Sequence, residues 1–236
     1  FHVTGGSVRM MKSTITSTAV GNRERVIGRG GSFSIEGGST TVESSIITNS
    51  TSYGQHGGFV RIIDGIFEVT GGSEIINCST GNYGGVAMSM GGILKFTNSS
   101  IVNGTSGETG GCWSMWGGGE IYVTRTILEH CSAPTGPVLH VGAGIRGALF
   151  VTTMVEFRQR ECDLNLFDWG SPVQLVMRNT SFSPLPPCTA TALADPSRVS
   201  GVALMGCGET YTTIDVQQYG VCTPSATCMD VPMKGV

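Results

Sequence analysis

An all-β, right-handed, single-stranded parallel β-helix solenoid of about seven coils, each 26–34 residues long, is the fold this sequence predicts, on three observations. A strand motif recurs with a near-constant beat. Glycine pairs fall at matching places between the strands. No window of useful length carries a helical period free of glycine.

The beat begins with Phe-x-Val-Thr-Gly-Gly-Ser at Phe1, which returns at Phe33 (with Ile and Glu inside it) and at Phe67. Strand segments starting at Leu94, Ile121, Leu149 and Leu175 continue the same slot, giving intervals of 32, 34, 27, 27, 28 and 26 residues. Before that slot, Gly57-Gly58, Gly84-Gly85 and Gly110-Gly111 each open a short strand at 59–63, 86–90 and 112–116, and Gly136 holds the register for 138–141. A third segment follows at 73–77, 99–103 and 125–129. Three β-rich segments per turn with glycine at the corners describe a parallel coil. One coil cannot bury its apolar face alone, so stacked coils share a continuous core of Ile, Val, Leu, Phe and Met.

Competing folds fail on the same counts. A left-handed hexapeptide coil would repeat at about 18 residues, a beat this chain lacks. Thirty-six Gly spread through every window would cost about 1 kcal/mol each in helix interiors. The expected rod is on the order of 30 Å long at strand spacing. Residues 1–187 are assigned to the β-helix and 188–236 to a Cys-rich appendage or final irregular coils, because the repeat fades after Pro184, Pro186 and Pro187. Phe1 falls inside a repeat unit, and solenoids need caps, so the chain reads as a segment of a longer protein.

Only 13% of residues are charged, net −3, with no basic cluster, which argues against nucleic acid and anionic membrane surfaces as partners. Nothing approaches the length of an apolar membrane-spanning helix. Eight Cys without a Cys-x-x-Cys motif read as disulfides rather than a zinc site. Cys162 and Cys188 lie 26 residues apart, one coil, which would stack them within disulfide reach. Cys78, Cys112 and Cys131 gather near one corner, with their pairing open.

Five of the eight Asn sit in Asn-x-Ser/Thr sequons: Asn49, Asn77, Asn98, Asn103 and Asn179. About two would arise by chance at this Ser and Thr content. Asn77 and Asn103 share a repeat position, as do Asn98 and Asn179, which suggests outward columns of N-glycans. The alternative is an internal ladder of Asn amides. Glycans would make the protein extracellular or cell-surface.

Other motifs carry less. Gly142-Ala-Gly144-Ile-Arg-Gly147 spells a dinucleotide fingerprint, but a β-branched strand follows where a helix N-terminus is required. No cofactor is expected. His2, His56, His130 and His140 lack metal-ligand spacing, with His130 and His140 expected at strand ends on the surface. No Gly-x-Ser-x-Gly elbow supports a hydrolase nucleophile. The six Asp do not stack in adjacent coils, and the acidic run from Glu161 through Asp163 to Asp168 reads as a polar corner before a calcium site. Cleavage of a polysaccharide would need that run to converge with Arg158 or Arg160. Arg61 and Asp64 read as a surface ion pair. Trp113 and Trp116 fall on opposite faces of one strand, so at most one is buried and the other could stack on a sugar.

Gly57-Gly-Phe, Gly84-Gly-Val and Gly110-Gly-Cys, with Phe96-Thr-Asn98-Ser close to a second motif, resemble the Gly-Gly-Ala-Ile and Phe-x-x-Asn repeats of chlamydial polymorphic outer-membrane proteins. Across residues 1 to about 185 the chain is also similar to pectate-lyase-like β-helix proteins, including large secreted protist surface proteins. This resemblance implies an adhesin, stalk or surface fibre. The catalytic Asp and Arg pattern of the pectin-degrading relatives has no residue-for-residue counterpart here, so no active site carries over. The expected function is a non-enzymatic, glycosylated structural rod of a larger extracellular protein, self-associating into a filament or joining neighbouring domains of the same protein. The alternative is a carbohydrate-binding β-helix, with surface polysaccharide as partner, and behind it a polysaccharide lyase or hydrolase.

Overall fold

The computed structural model describes residues 1–20, 30–54, 56–145 and 147–158, together with the strands Phe167–Trp169, Val173–Arg178, Ser181–Ser183, Gly220–Cys222 and Cys228–Asp230. It is a parallel β-solenoid: three sheets of seven strands run its length, and a fourth sheet of four two-residue strands lies along one corner. About five turns are complete, fewer than the seven coils expected from the motif count. The fourth sheet, including Ser79–Thr80 and Thr105–Ser106, was not expected from sequence.

One coil shows the logic. Ala87–Ser89 lies in the first sheet, Ile93–Thr97 in the second, Ser100–Val102 in the third and Thr105–Ser106 in the fourth. Each strand is flanked in parallel register by its equivalents one coil away, as Met88 is by Arg61 and Ser114. Period-2 alternation sends every second side chain inward. In the second sheet the inward ranks are Val8, Thr40, Phe67, Leu94, Ile121 and Phe150, then Met10, Val42, Val69, Phe96, Val123 and Thr152. The third sheet contributes Ile15, Ile47, Ile75, Ile101, Leu128 and Phe157. These ranks form one continuous core, in which Trp113 packs between the rings of Phe96 and Phe150 at 5.6 and 5.5 Å.

The corners are built from recurring polar residues. Between the second and third sheets a residue with positive φ (Ser44, Gly72, Asn98, Arg125) precedes a buried hydroxyl (Ser45, Ser73, Ser99, Thr126). That hydroxyl donates back to a nearby carbonyl, as Ser99 does to Thr97 at 2.9 Å and Thr126 to Thr124 at 2.9 Å. A buried polar group is tolerated because it is satisfied locally. At the entry to the first sheet, Gly84 has φ +68, and a Cβ on Gly85 would sit 2.1 Å from the Gly111 carbonyl oxygen. Only glycine fits where two coils approach this closely.

The heptapeptide repeat misleads about register. Phe1 and Phe33 belong to the first sheet, where Phe33 pairs with Val60; Phe67 lies seven residues further on, in the second sheet opposite Thr40. The same Phe-x-β-x-Gly-Gly-Ser string therefore turns two different corners. Both phenyl rings still enter the same core, with centroids 5.3 Å apart, so the hydrophobic pattern was right while the phase was not.

A disulfide joins Cys112 to Cys131 across the inside of one coil, with Cα atoms 5.3 Å apart. This selects one pairing from the three cysteines left open by the sequence. Gly104 lies one rung from Cys131, and a Cβ there would come within 3.1 Å of the Cys112 sulfur. The third member, Cys78, is a buried free thiol. Cys162 and Cys188, expected to pair, lie outside the described residues, as do the domain boundary at 187/188 and Asn179. Gly220–Cys222 and Cys228–Asp230 pair antiparallel with Cys222 opposite Cys228.

Candidate functional site

The outer face of the first sheet gathers the chemistry. Its central outward positions form one column: Ser34, Arg61, Met88, Ser114, His140 and Asp168. Strand alternation alone would expose them, yet Ser34, Met88, Ser114 and His140 are buried. Side chains from the flanking corners roof over Ser114 and His140. Tyr83 reaches in from the fourth-sheet side, and Trp116 from the turn after the strand; their centroids are 4.6 Å apart. Trp116 also lies 5.5 Å from the His140 ring. Its indole Nε1–H donates to Ser114 Oγ at 2.8 Å. Gly142, one rung on, leaves room for the indole: a Cβ there would meet Trp116 Cε3 at 2.9 Å.

His140 and Asp168 form the polar end of this column. Nδ1 of His140 lies 2.6 Å from Asp168 Oδ2. Burial pushes the imidazole below its ordinary value, with the Asp168 carboxylate acting in the opposite direction. Desolvation outweighs the ion pair because His140 is buried beneath Trp116. The Tyr83 phenol is pushed up by its burial and then by hydrogen bonding to, and the charge of, Glu108. Arg61 Nη2 approaches Met90 Sδ at 3.5 Å, extending the roof toward the N-terminal end.

Ser114, His140 and Asp168 follow one another on successive rungs in the order of a hydrolytic triad. As arranged they do not present a nucleophile. Ser114 is fully buried, and its oxygen already accepts the Trp116 N–H. Amides bracketing this column, such as those of Trp113 and Trp116, are committed to ladder hydrogen bonds and cannot serve an oxyanion.

Trp113 is 0% exposed and Trp116 38%, so the two do take opposite faces. His140, expected at the surface, is instead covered by the aromatic roof and held by Asp168; its 28-residue spacing from Asp168 was the available signal. Asp64 is exposed, and its Oδ1 accepts the Gly65 N–H at 2.7 Å. Arg158, a candidate for polysaccharide chemistry, is tied to Glu129 at 2.6 Å and Glu156 at 2.8 Å on the outside of the third sheet. Glu161, Asp163 and Arg160 lie outside the described residues. Among the described residues, no three of His, Cys, Asp and Glu converge as a metal site.

The described sequon asparagines occupy two corner columns. Asn49, Asn77 and Asn103 have φ of 56°, 56° and 57°, and Asn98 has 48°. Asparagine tolerates this left-handed conformation better than most residues. The amides of the first three do form a ladder, as the alternative reading expected, but on the outside of the solenoid rather than within it.

The chain matches no family model, no curated protein and no solved structure.

Proposed function

We propose that this chain is a non-enzymatic structural module of a larger extracellular protein: a glycosylated, disulfide-supported rod for a surface fibre, filament or adhesin stalk. The observation that carries this reading is the uninterrupted stacking of coils, each closed by tight corners around one core and tied to its neighbours by side-chain ladders. Such an architecture is stiff along its axis because every coil is held by two neighbours. Columns of sequons, an internal disulfide and the resemblance to β-helix surface proteins favour an oxidising, extracellular setting. A heterologous contact between rods that does not close would extend into a filament.

Cryo-electron microscopy of native, unreduced material tests this. Filaments of repeating rods, with glycan density on the corner columns, are expected. Dispersed particles that degrade a polysaccharide would overturn the proposal.

A second reading, carbohydrate binding, is favoured by one feature: the partly exposed Trp116 ring, fixed by Ser114 and Gly142 and flanked by Tyr83. A rigid aromatic face with hydrogen-bonding groups at its rim suits a sugar ring. Titration with a panel of oligosaccharides should then show binding that Trp116→Ala abolishes. Binding unaffected by that change, or none at all, removes this reading.

A further inference from the structure

Three of the sequon asparagines are consecutive rungs of a single column. Asn77 Nδ2 donates to Asn49 Oδ1 at 3.2 Å, and Asn103 Nδ2 donates to Asn77 Oδ1 at 2.9 Å. Asn77 is thus the only one of the three engaged on both sides, donating toward one coil and accepting from the next. The column is flanked by Ser17 before Asn49 and His130 after Asn103, which share its positive φ. Asn98 stands at a different corner, exposed, with Gly71 on the preceding rung and Arg125 on the following one.

From this we propose an alternate-rung rule for modification: Asn49, Asn98 and Asn103 accept N-linked glycans, and Asn77 stays a bare amide that joins its neighbours. The rule rests on the extracellular reading above and specifies which nitrogens are used. The donor is an oligosaccharide activated on a lipid pyrophosphate. The sugar's anomeric carbon bonds to Nδ2, one Nδ2 hydrogen leaves as a proton, and the carrier pyrophosphate departs with its bonding electron pair.

The ladder geometry decides which sites tolerate the product. A glycosylated Asn amide is a planar secondary amide, trans like a peptide bond, so its remaining N–H points away from its own carbonyl. That is the hydrogen the ladder uses, because each amide donates to one rung while its carbonyl faces the other. Asn103 can therefore carry a sugar and keep its bond to Asn77. Asn49 contributes only its carbonyl oxygen to the ladder and keeps that role when modified.

Spacing excludes Asn77. Neighbouring rungs are about 4.8 Å apart, less than the width of a sugar with its N-acetyl arm and the branches beyond. Glycans on Asn49 and Asn103 are separated by two rungs, roughly 10 Å, and can diverge. A third glycan between them would be pressed from both sides. Asn98 meets no such conflict, since the preceding rung at its corner has a glycine in place of a side chain. Attachment precedes folding, so chains modified at Asn77 beside a modified neighbour fold poorly and are lost from the secreted pool.

The test is peptide mapping of the chain secreted from eukaryotic cells, after enzymatic deglycosylation in heavy-oxygen water, which tags each formerly glycosylated Asn. Tags at Asn49, Asn98 and Asn103 without one at Asn77 are expected. Tagging of Asn77 in the same molecules as Asn49 or Asn103 overturns the rule. Secreted chains with no tag anywhere refute the glycoprotein reading itself. A second arm isolates the ladder: in unglycosylated protein, the side-chain amide hydrogens of Asn77 and Asn103 should exchange at least tenfold more slowly than those of Asn98. Equal rates would remove the structural basis of the rule whatever the glycans show.

Discussion

Replacing Gly85 by alanine sets two physical effects against each other, with opposite signs. Gly85 has no positive φ, so the backbone itself accepts an alanine. On conformational entropy alone Gly85→Ala would stabilise the protein by about 0.4–1 kcal/mol, through a less flexible unfolded chain. Space says otherwise. The new Cβ would lie 2.1 Å from the Gly111 carbonyl oxygen, 2.4 Å from Thr105 N and 2.6 Å from Thr105 C. All three are backbone atoms 20 to 26 residues further along the chain, so relief requires stacked backbone to move. Overpacking of this kind costs about 1–3 kcal/mol, and sometimes more where only backbone can yield. We expect a net loss of about 2 kcal/mol, or roughly 4–8 °C in Tm for a chain of this size. Gly72→Ala is the control. Nothing lies within 4 Å of its Cβ position, but its φ is +77, so only backbone strain of about 1–2 kcal/mol is at stake. Urea unfolding of both variants, followed by circular dichroism, measures the difference. If Gly85→Ala matched or exceeded the parent in stability, the close approach of coils at this corner would be wrong.

Three other outcomes follow from the same structure. The Cys112–Cys131 bridge closes a 19-residue separation and should contribute about 3 kcal/mol, so a reductant or Cys131→Ser should lower the urea midpoint; an unchanged midpoint would contradict the bridge. Burial pushes the Cys78 thiol up to about 12, so a thiol reagent at pH 8 should leave it unlabelled in the native protein and label it after unfolding; rapid native labelling would refute its burial. His140 titrates below its ordinary value of 6.5 in the fold because desolvation outweighs Asp168. The unfolded chain then binds the extra proton first as pH falls, so stability should drop below about pH 6.5 until the lowered folded value is passed. Proton NMR titration of His140, and a flatter stability profile for His140→Gln, check the sign; a raised imidazole value would reverse it.

Periodicity made the solenoid legible because each coil must repeat the same inward ranks to share a core. The Ile75–Ile101–Leu128 rank and the Gly-Gly corners are visible as sequence for that reason. Phase was not legible. A short strand followed by Gly-Gly-Ser can turn either of two corners, and nothing local distinguishes Phe33 from Phe67 until neighbouring coils fix the pairing. The opposite faces of Trp113 and Trp116 followed from alternation. The roof over Ser114 and His140 did not, because it depends on Tyr83 arriving from another part of the coil circuit.

The sequence by itself determined the class of fold, the apolar ranks and the glycine corners, since those are set by alternation and by backbone sterics within a few residues. Only the tertiary structure decided the register between coils, the Cys112–Cys131 pairing, the His140–Asp168 contact and the outward Asn49–Asn77–Asn103 ladder. Each of these joins residues 19 to 32 positions apart, and such contacts exist only once whole coils have stacked at strand spacing.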